Sequence, residues 1–258
     1  MNEELILIDK SVPKVAILTL NRPNKRNALN INLLIQLSQT LNTLNRDCEL
    51  RVVILKGAGS LFCAGLDLKE ASDTTKSTES AKLLAKTFKE LYHSPHVTIA
   101  AVHGYAIAGG AGLMCACDIA IAEEGTQMGF PETQKGLVAS QVSTFLSRQL
   151  SQRHLRELLL IGDIIDCNKA VNLGLINFIT PQGTLDERSI HLAKKIMRGG
   201  PTATRETKKL IDELYPNSFD QDLEKALLHH EKIRNTEEAI EGFLAFNEKR
   251  SPNWLEEM

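Results

Sequence analysis

The chain has 258 residues, 43% of them hydrophobic and 24% charged, with a formal net charge of −2. That length and balance suit a soluble globular protein with a sizeable core, as one large domain or a domain plus an appendage. They exclude a whole-chain basic field of the kind that recruits nucleic acid or a membrane surface. No apolar run reaches the roughly 20 residues that span a bilayer. The acidic opening "MNEELILIDK" has no basic leader region, so no secretory signal and a cytoplasmic location are expected. Five cysteines, an odd number set mostly in apolar sequence, read as buried free thiols, and Cys115-Ala-Cys117 lacks zinc-site spacing.

In chain order, "PKVAILTLNRP" reads as a strand entering a turn, and Leu33, Leu34, Leu37, Leu41 and Leu44 follow at helical spacing behind Asn30 as N-cap. "RVVILKG" is a buried strand, "AGSLFCAGLDLKEA" a loop feeding a helix, and the polar "SDTTKSTES" a mobile surface loop. A helix is expected over Ser80–His93. The strand "VTIAAVHG" follows, and the glycine-rich "GYAIAGGAGLMCACD" opens the next helix. Short strands "DIAIA" and "TQMGF" come next, then helices near Gln141–Leu150, His154–Ile161 and Cys167–Leu173. Gly174 closes the last of these before the strand "LINFI". From Leu185 onward the pattern is helical only, broken at "GGP" and "YPNSF". Alternating strands and helices predict an α/β layer fold. The division expected is a core over 1–195 and a helical region over 196–258 that packs on the core or on another subunit.

Four glycines in 104–112 fit neither a phosphate loop nor a dinucleotide fingerprint. Two readings remain, a close helix–strand contact or a strand-to-helix turn whose N–H groups face an oxygen. "LFCAGLDL" is a second such turn, tightest at Gly65, and two convergent turns have the geometry of an oxyanion hole. In "MGFPETQKGLV", Glu132 stands between apolar flanks that favour its neutral form, which suits acid–base work.

The ordered segments "LNRPNKRNAL", "FCAGLDLKE", "AAVHGYAIAGGAGLMCACDIAIA" and "FPETQKGLV" resemble the successive signatures of the crotonase (enoyl-CoA hydratase/isomerase) superfamily, and the likeness extends to "FNEKRSP". The resemblance implies a ββα spiral core, a helical C-terminal trimerisation region, and a homotrimer or a hexamer built as a dimer of trimers. It implies an acyl-CoA thioester as substrate, with coenzyme A belonging to the substrate and no separate cofactor or metal. The backbone N–H groups of Leu66 and Gly109 would hold the enolate oxygen. Ala64, Gly65, Leu66, Gly109 and Gly110 would border the thioester and pantetheine, and Arg26, Lys69 and Lys249 would approach the nucleotide end.

The likeness also implies a departure. Two-glutamate hydratases carry one acid three residues beyond the second oxyanion donor, and here that position is Gly112. Glu132 is the single catalytic carboxylate that remains. "KGLVASQVSTFLSRQL" is similar to a bacterial branch acting on branched enoyl-CoAs, including methylglutaconyl-like ones, in which glycine also takes the first acid position. An enoyl-CoA hydratase is therefore expected, with one glutamate working through a bound water, helped by Ser140, Gln141 or Ser143. The alternatives are a Δ3,Δ2-enoyl-CoA isomerase with Glu132 as sole base, or a non-catalytic acyl-CoA binder. Candidates for the acyl wall are Leu66, Leu68, Phe88, Met114 and Phe130. His103 and Asp118 are expected to fix a loop and a strand entry, the other histidines to be solvated or to cap helices, and "RETKKL" to be a solvated helix face.

Overall fold

The computed structural model describes residues 3–67, 69–70 and 74–255. Its strands are β1 (Ile6–Asp9), β2 (Val15–Leu20), β3 (Val52–Gly57), β4 (Val97–Val102), β5 (Tyr105–Ile107), β6 (Ile119–Glu123), β7 (Gln127–Gly129), β8 (Ile164–Asp166) and β9 (Phe178–Thr180). Its α-helices are α1 (Ile31–Leu44), α2 (Thr74–Tyr92), α3 (Gly109–Ala116), α4 (Ser140–Gln149), α5 (Gln152–Ile161), α6 (Cys167–Leu173), α7 (Leu185–Ile196), α8 (Pro201–Glu213), α9 (Phe219–Arg234) and α10 (Glu237–Glu248).

Six strands form one sheet in the order β1-β2-β3-β4-β6-β9, parallel throughout except for the β1–β2 hairpin. A second sheet, β5-β7-β8, pairs β5 with β7 in parallel and β7 with β8 antiparallel. The central strands are apolar on both faces because both are covered. One side of the sheet carries Leu18, Val53, Leu55 and Ala100 into the main core with α1, α2, α3 and α4. The other carries Val15, Val52, Ile54 and Ile99 against α7. Helices α8 to α10 finish the chain.

Several elements depart from the sequence reading. The "SDTTKSTES" stretch is not a loop from Thr74 on; it is the first two turns of α2, and Ser72 and Asp73 lie outside the described residues. Ser77 and Ser80 are 4% and 2% exposed, so small hydroxyl residues face the interior where a hydropathy pattern shows only polarity. Three short strands, β1, β5 and β8, carry too few alternating residues to signal themselves. In "LINFI", Leu175 and Ile176 fill the core, and pairing begins only at Phe178. Asn30 caps α1 by accepting from Leu33 N, and Gly174 closes α6 at φ 82°, as expected. His96 is not solvated: it is buried, and its ring nitrogen lies 2.8 Å from Leu44 O, the last carbonyl of α1, so it caps that helix end. Lys208 of "RETKKL" is likewise not a solvated charge, because it turns inward to bond Asp118 at 2.8 Å and His96 O at 3.1 Å.

Candidate active site

Residues 61–67 run beside β5, through Phe62 N to His103 O (2.9 Å), Cys63 N to Tyr105 O (3.1 Å) and Ile107 N to Cys63 O (3.1 Å). This ladder places the two glycine turns side by side. Gly65 has φ 91°, and a methyl group built on it would lie 2.9 Å from Ile107 O and 3.5 Å from Gly109 N. Only a residue without Cβ lets the turns approach so closely. Flanking amides are used: Ala64 N on Arg26 O, Asp67 N on Leu29 O, and Ala108 N on Gly129 O. Among the described residues, the N–H groups of Leu66 and Gly109 have no acceptor. Two unbonded amides on adjacent turns, one opening a helix, are the kind of donors that an oxyanion seat requires.

Ala108 sets the direction of the second amide. Its φ of 50° and ψ of −121° are strained for a residue with a Cβ. The strain is held by Ala108 N on Gly129 O and by Gly112 N on Ala108 O, both at 2.9 Å. Gly110 answers a separate demand, since a methyl there would overlap the Cys63 carbonyl and come 2.8 Å from Cys63 Cβ. Gly104, at φ 61°, belongs to the bend before β5.

Further supports escaped the sequence reading. Asn27 is fully buried at φ 50°, and its Nδ2 donates to Ala58 O, Leu61 O and Phe62 O, pinning the start of the first turn. Arg22 donates to Asp67 at 2.6 Å and to Ala28 O at 3.0 Å, tying down its end. Burial pushes the Asp67 carboxyl up, but the Arg22 guanidinium and the Lys69 amide outweigh this and hold it below the usual carboxylate range. "RPNKRN" is polar and aperiodic, so only the resemblance marked it.

Glu132 opens a tight turn closed by Lys135 N (2.9 Å) and Leu137 N (3.0 Å) on its own carbonyl, with Gly136 at φ 63°. Thr133 and Gln134 bond the carbonyls that end α5. On the other side lies α10, where a methyl on Gly242 would overlap Lys135 O and the Lys135 ammonium stands 4.5 Å over the Phe246 ring. The turn is thus fixed from two sides. Glu132 as a residue is only partly buried, yet its Oε2 is inaccessible and has no hydrogen-bond partner among the described residues. Burial pushes the carboxyl up to about 7, with its own amide and the nearby Lys135 charge pulling weakly the other way. A carboxyl group poised there can take and return a proton near neutrality.

At the first-acid position, a methyl on Gly112 would meet Phe88 Cζ at 2.5 Å and Val142 Cγ2 at 3.0 Å. Phe88 is fully buried and packs edge-to-face on Phe145 at 5.2 Å between ring centroids. An aromatic ring therefore fills the volume into which an acid at 112 would project. Of the neighbouring hydroxyls, Ser143 bonds Ala139 O at 2.8 Å and Ser140 reaches Val138 O at 3.4 Å.

Arg26, at φ 53°, and Lys69 are exposed at the two ends of the first turn, while exposed Lys249 ends α10 at φ 55°. Met114, Phe130 and Phe88 are buried, Leu66 is half-buried, and Leu68 lies outside the described residues. His103 bonds Gly59 O at 3.0 Å, and Asp118 accepts from Thr98 N at 2.7 Å, the loop- and strand-fixing parts expected of them. A cavity of about 660 Å³ lies elsewhere, at the C-terminal end of α3 among Cys117, Arg148, Arg205 and Tyr215. None of the expected catalytic groups reaches it, so its size says nothing about the chemistry.

A family model described as enoyl-CoA hydratase/isomerase matches residues 11–257. A putative enoyl-CoA hydratase of Thermus thermophilus is 36% identical over 245 residues, 93% of this chain and 97% of that protein. The 2,3-dehydroadipyl-CoA hydratase of Escherichia coli is 30% identical over 249 residues, 96% of this chain and 98% of its own. A crystal structure of an enoyl-CoA hydratase from Mycobacterium avium superposes with a TM-score of 0.88 at 34% identity, covering 98% of this chain and 99% of that one.

Proposed function

The chain belongs to the enoyl-CoA hydratase/isomerase family, and on that footing we propose that it hydrates a 2-enoyl thioester of coenzyme A with Glu132 as its one acid–base carboxylate. The observation that carries this reading is the inaccessible, unpartnered Oε2 of Glu132, on a carboxyl group pushed up to about 7. In the proposed reaction the thioester oxygen sits between the N–H groups of Leu66 and Gly109. Ionised Glu132 takes a proton from water as the water oxygen bonds C3. The C2=C3 pair moves to C2 and the thioester oxygen, where the two amides hold the enolate charge. Glu132, now protonated, returns that proton to C2, so one water is added and the carboxylate is restored.

The hydratase relatives support hydration as the reaction. Phe88 in the first-acid volume favours a second reading, a Δ3,Δ2-isomerase in which Glu132 carries a proton from C2 to C4 and no water takes part. Arg26, Lys69 and Lys249 are proposed for the nucleotide end, and a trimer or hexamer for the assembly. Incubation with crotonyl-CoA and with 3-hexenoyl-CoA, following 2-enoyl absorbance, separates the two readings. Loss of signal with the first substrate is the expected result, and gain with the second together with no loss with the first would overturn hydration.

A further inference from the structure

Gln141, in the first turn of α4, is 5% exposed. Its Nε2 donates to Ala81 O on α2 at 3.1 Å, which fixes which end of the amide is nitrogen. The other end, Oε1, is inaccessible and has no hydrogen-bond partner among the described residues. A buried carbonyl oxygen left alone costs about 1–3 kcal/mol, so a group that supplies a donor is favoured there.

The surroundings locate that oxygen. Along α2, Ala81 holds the Gln141 amide, the Leu84 side chain would lie 3.4 Å from a methyl on Gly109, and the Phe88 ring fills the space beside Gly112. Positions 81, 84 and 88 follow one stripe of a helix and span about 10 Å. The same stripe therefore lies against Gln141, the α-carbon of Gly109 and the missing-acid position. Val142, next to Gln141, closes Gly112 from the α4 side at 3.0 Å. The chain between Glu132 and Gln141 is a fixed turn running directly into α4. Ser140 and Ser143, the other polar side chains in this first turn, spend their hydroxyls on their own backbone.

Resting on the hydration reading above, we propose that Gln141 is a further catalytic residue, its Oε1 accepting one hydrogen of the attacking water while Glu132 accepts the other. Water has two hydrogens, and Glu132 Oε2 and Gln141 Oε1 are each without a partner among the described residues. Gln141 takes over the orienting part that a second carboxylate plays in two-glutamate hydratases and moves no proton itself. The water oxygen is then left with its lone pair toward C3. Enolisation at C2 needs only Glu132 and the two amides, so Gln141 has no part in it.

That division supplies the test. Hydration of crotonyl-CoA and exchange of the C2 hydrogens of butyryl-CoA in D2O are measured on the wild-type protein, Gln141→Met, Gln141→Glu and Glu132→Gln. Gln141→Met keeps the shape and loses the acceptor. It is expected to lower hydration kcat by about 10- to 100-fold, the range for one lost hydrogen bond to a reacting group, with KM and C2 exchange within about twofold of wild type. Gln141→Glu in its protonated form keeps both the donor to Ala81 and the free oxygen, so its hydration rate relative to wild type at the same pH is expected to rise as pH falls. Glu132→Gln is expected to lower both reactions by about 10²- to 10⁴-fold. If Gln141→Met depresses hydration and exchange together, or leaves hydration unchanged, the proposal is overturned while Glu132 stands. If Glu132→Gln retains both reactions, the Glu132 reading itself has failed.

Discussion

The two ends of α3 differ in how they treat polar groups. At the C-terminal end the groups of α3 and of the strand entry after it are matched, with Cys115 O taking Gln149 Nε2 at 2.8 Å and Asp118 taking Thr98 N, Thr98 Oγ1 and Lys208 Nζ. The buried nitrogens Arg148 Nε and His96 Nδ1 around them have no partner among the described residues. At the N-terminal end, Ala108 is strained, the Gly109 amide has no acceptor, and the nearby Glu132 Oε2 and Gln141 Oε1 are unpartnered among the described residues. A cavity lies at the C-terminal end, and the groups proposed for the chemistry lie at the other. What sets the N-terminal end apart is the combination of unpartnered side-chain oxygens with free backbone N–H groups, and volume alone does not show it.

The contrast is broken most severely at Glu132. Glu132→Gln is expected to lower hydration kcat by about 10²- to 10⁴-fold, the usual worth of a positioned acid–base group, with acyl-CoA binding retained in a titration. The same variant should be more stable than wild type above neutrality. A carboxyl whose folded pKa is raised from 4.5 to about 7 loses stability as pH climbs through that window, and glutamine removes the loss. The gain is at most about 3 kcal/mol, read as a rise in Tm at alkaline pH that vanishes at acid pH.

Gly110→Ala drives a methyl into Cys63 and should cost about 2–4 kcal/mol in denaturant unfolding, with activity falling as the two turns separate. At the C-terminal end, Lys208→Met strips Asp118 of its ammonium partner. It should cost about 1–2 kcal/mol while kcat stays within twofold, because that carboxylate supports β4 and not the reaction. Smallest of all, Ala108→Gly relieves the backbone at φ 50°. A small gain in Tm is expected with a modest loss of kcat, as the Gly109 amide becomes less firmly aimed.

Most of the parallel sheet was legible in the sequence, because β2, β3, β4 and β6 are predominantly apolar runs bounded by turn residues. The first turns of α2 were not, since buried serines carry no hydropathy signal. Of the site, Gly65, Gly109 and Glu132 stood out as glycine turns and an acid among apolar neighbours, and the resemblance gave them roles. Sequence could not show that Phe88, 24 residues before Gly112 in the chain, takes the volume of the absent acid. Nor could it rank Gln141 above Ser140 and Ser143. That choice depends on which side chains spend their polar atoms on the backbone, a property of packing and not of spacing. Ala108 and Asn27 show the same limit, since left-handed conformations at residues other than glycine are imposed by the contacts around them.

The central claim is that one carboxylate, perturbed by burial, runs the acid–base chemistry. Its most direct test is kcat/KM for crotonyl-CoA hydration between about pH 5 and about pH 9, which reports the free enzyme's essential groups. The account predicts an acid limb with a single apparent pKa near 7, the value to which burial lifts Glu132, and no measurable limb in Glu132→Gln. A rate that stays level from about pH 5 upward, or a Glu132→Gln protein with the same limb and comparable turnover, would contradict it.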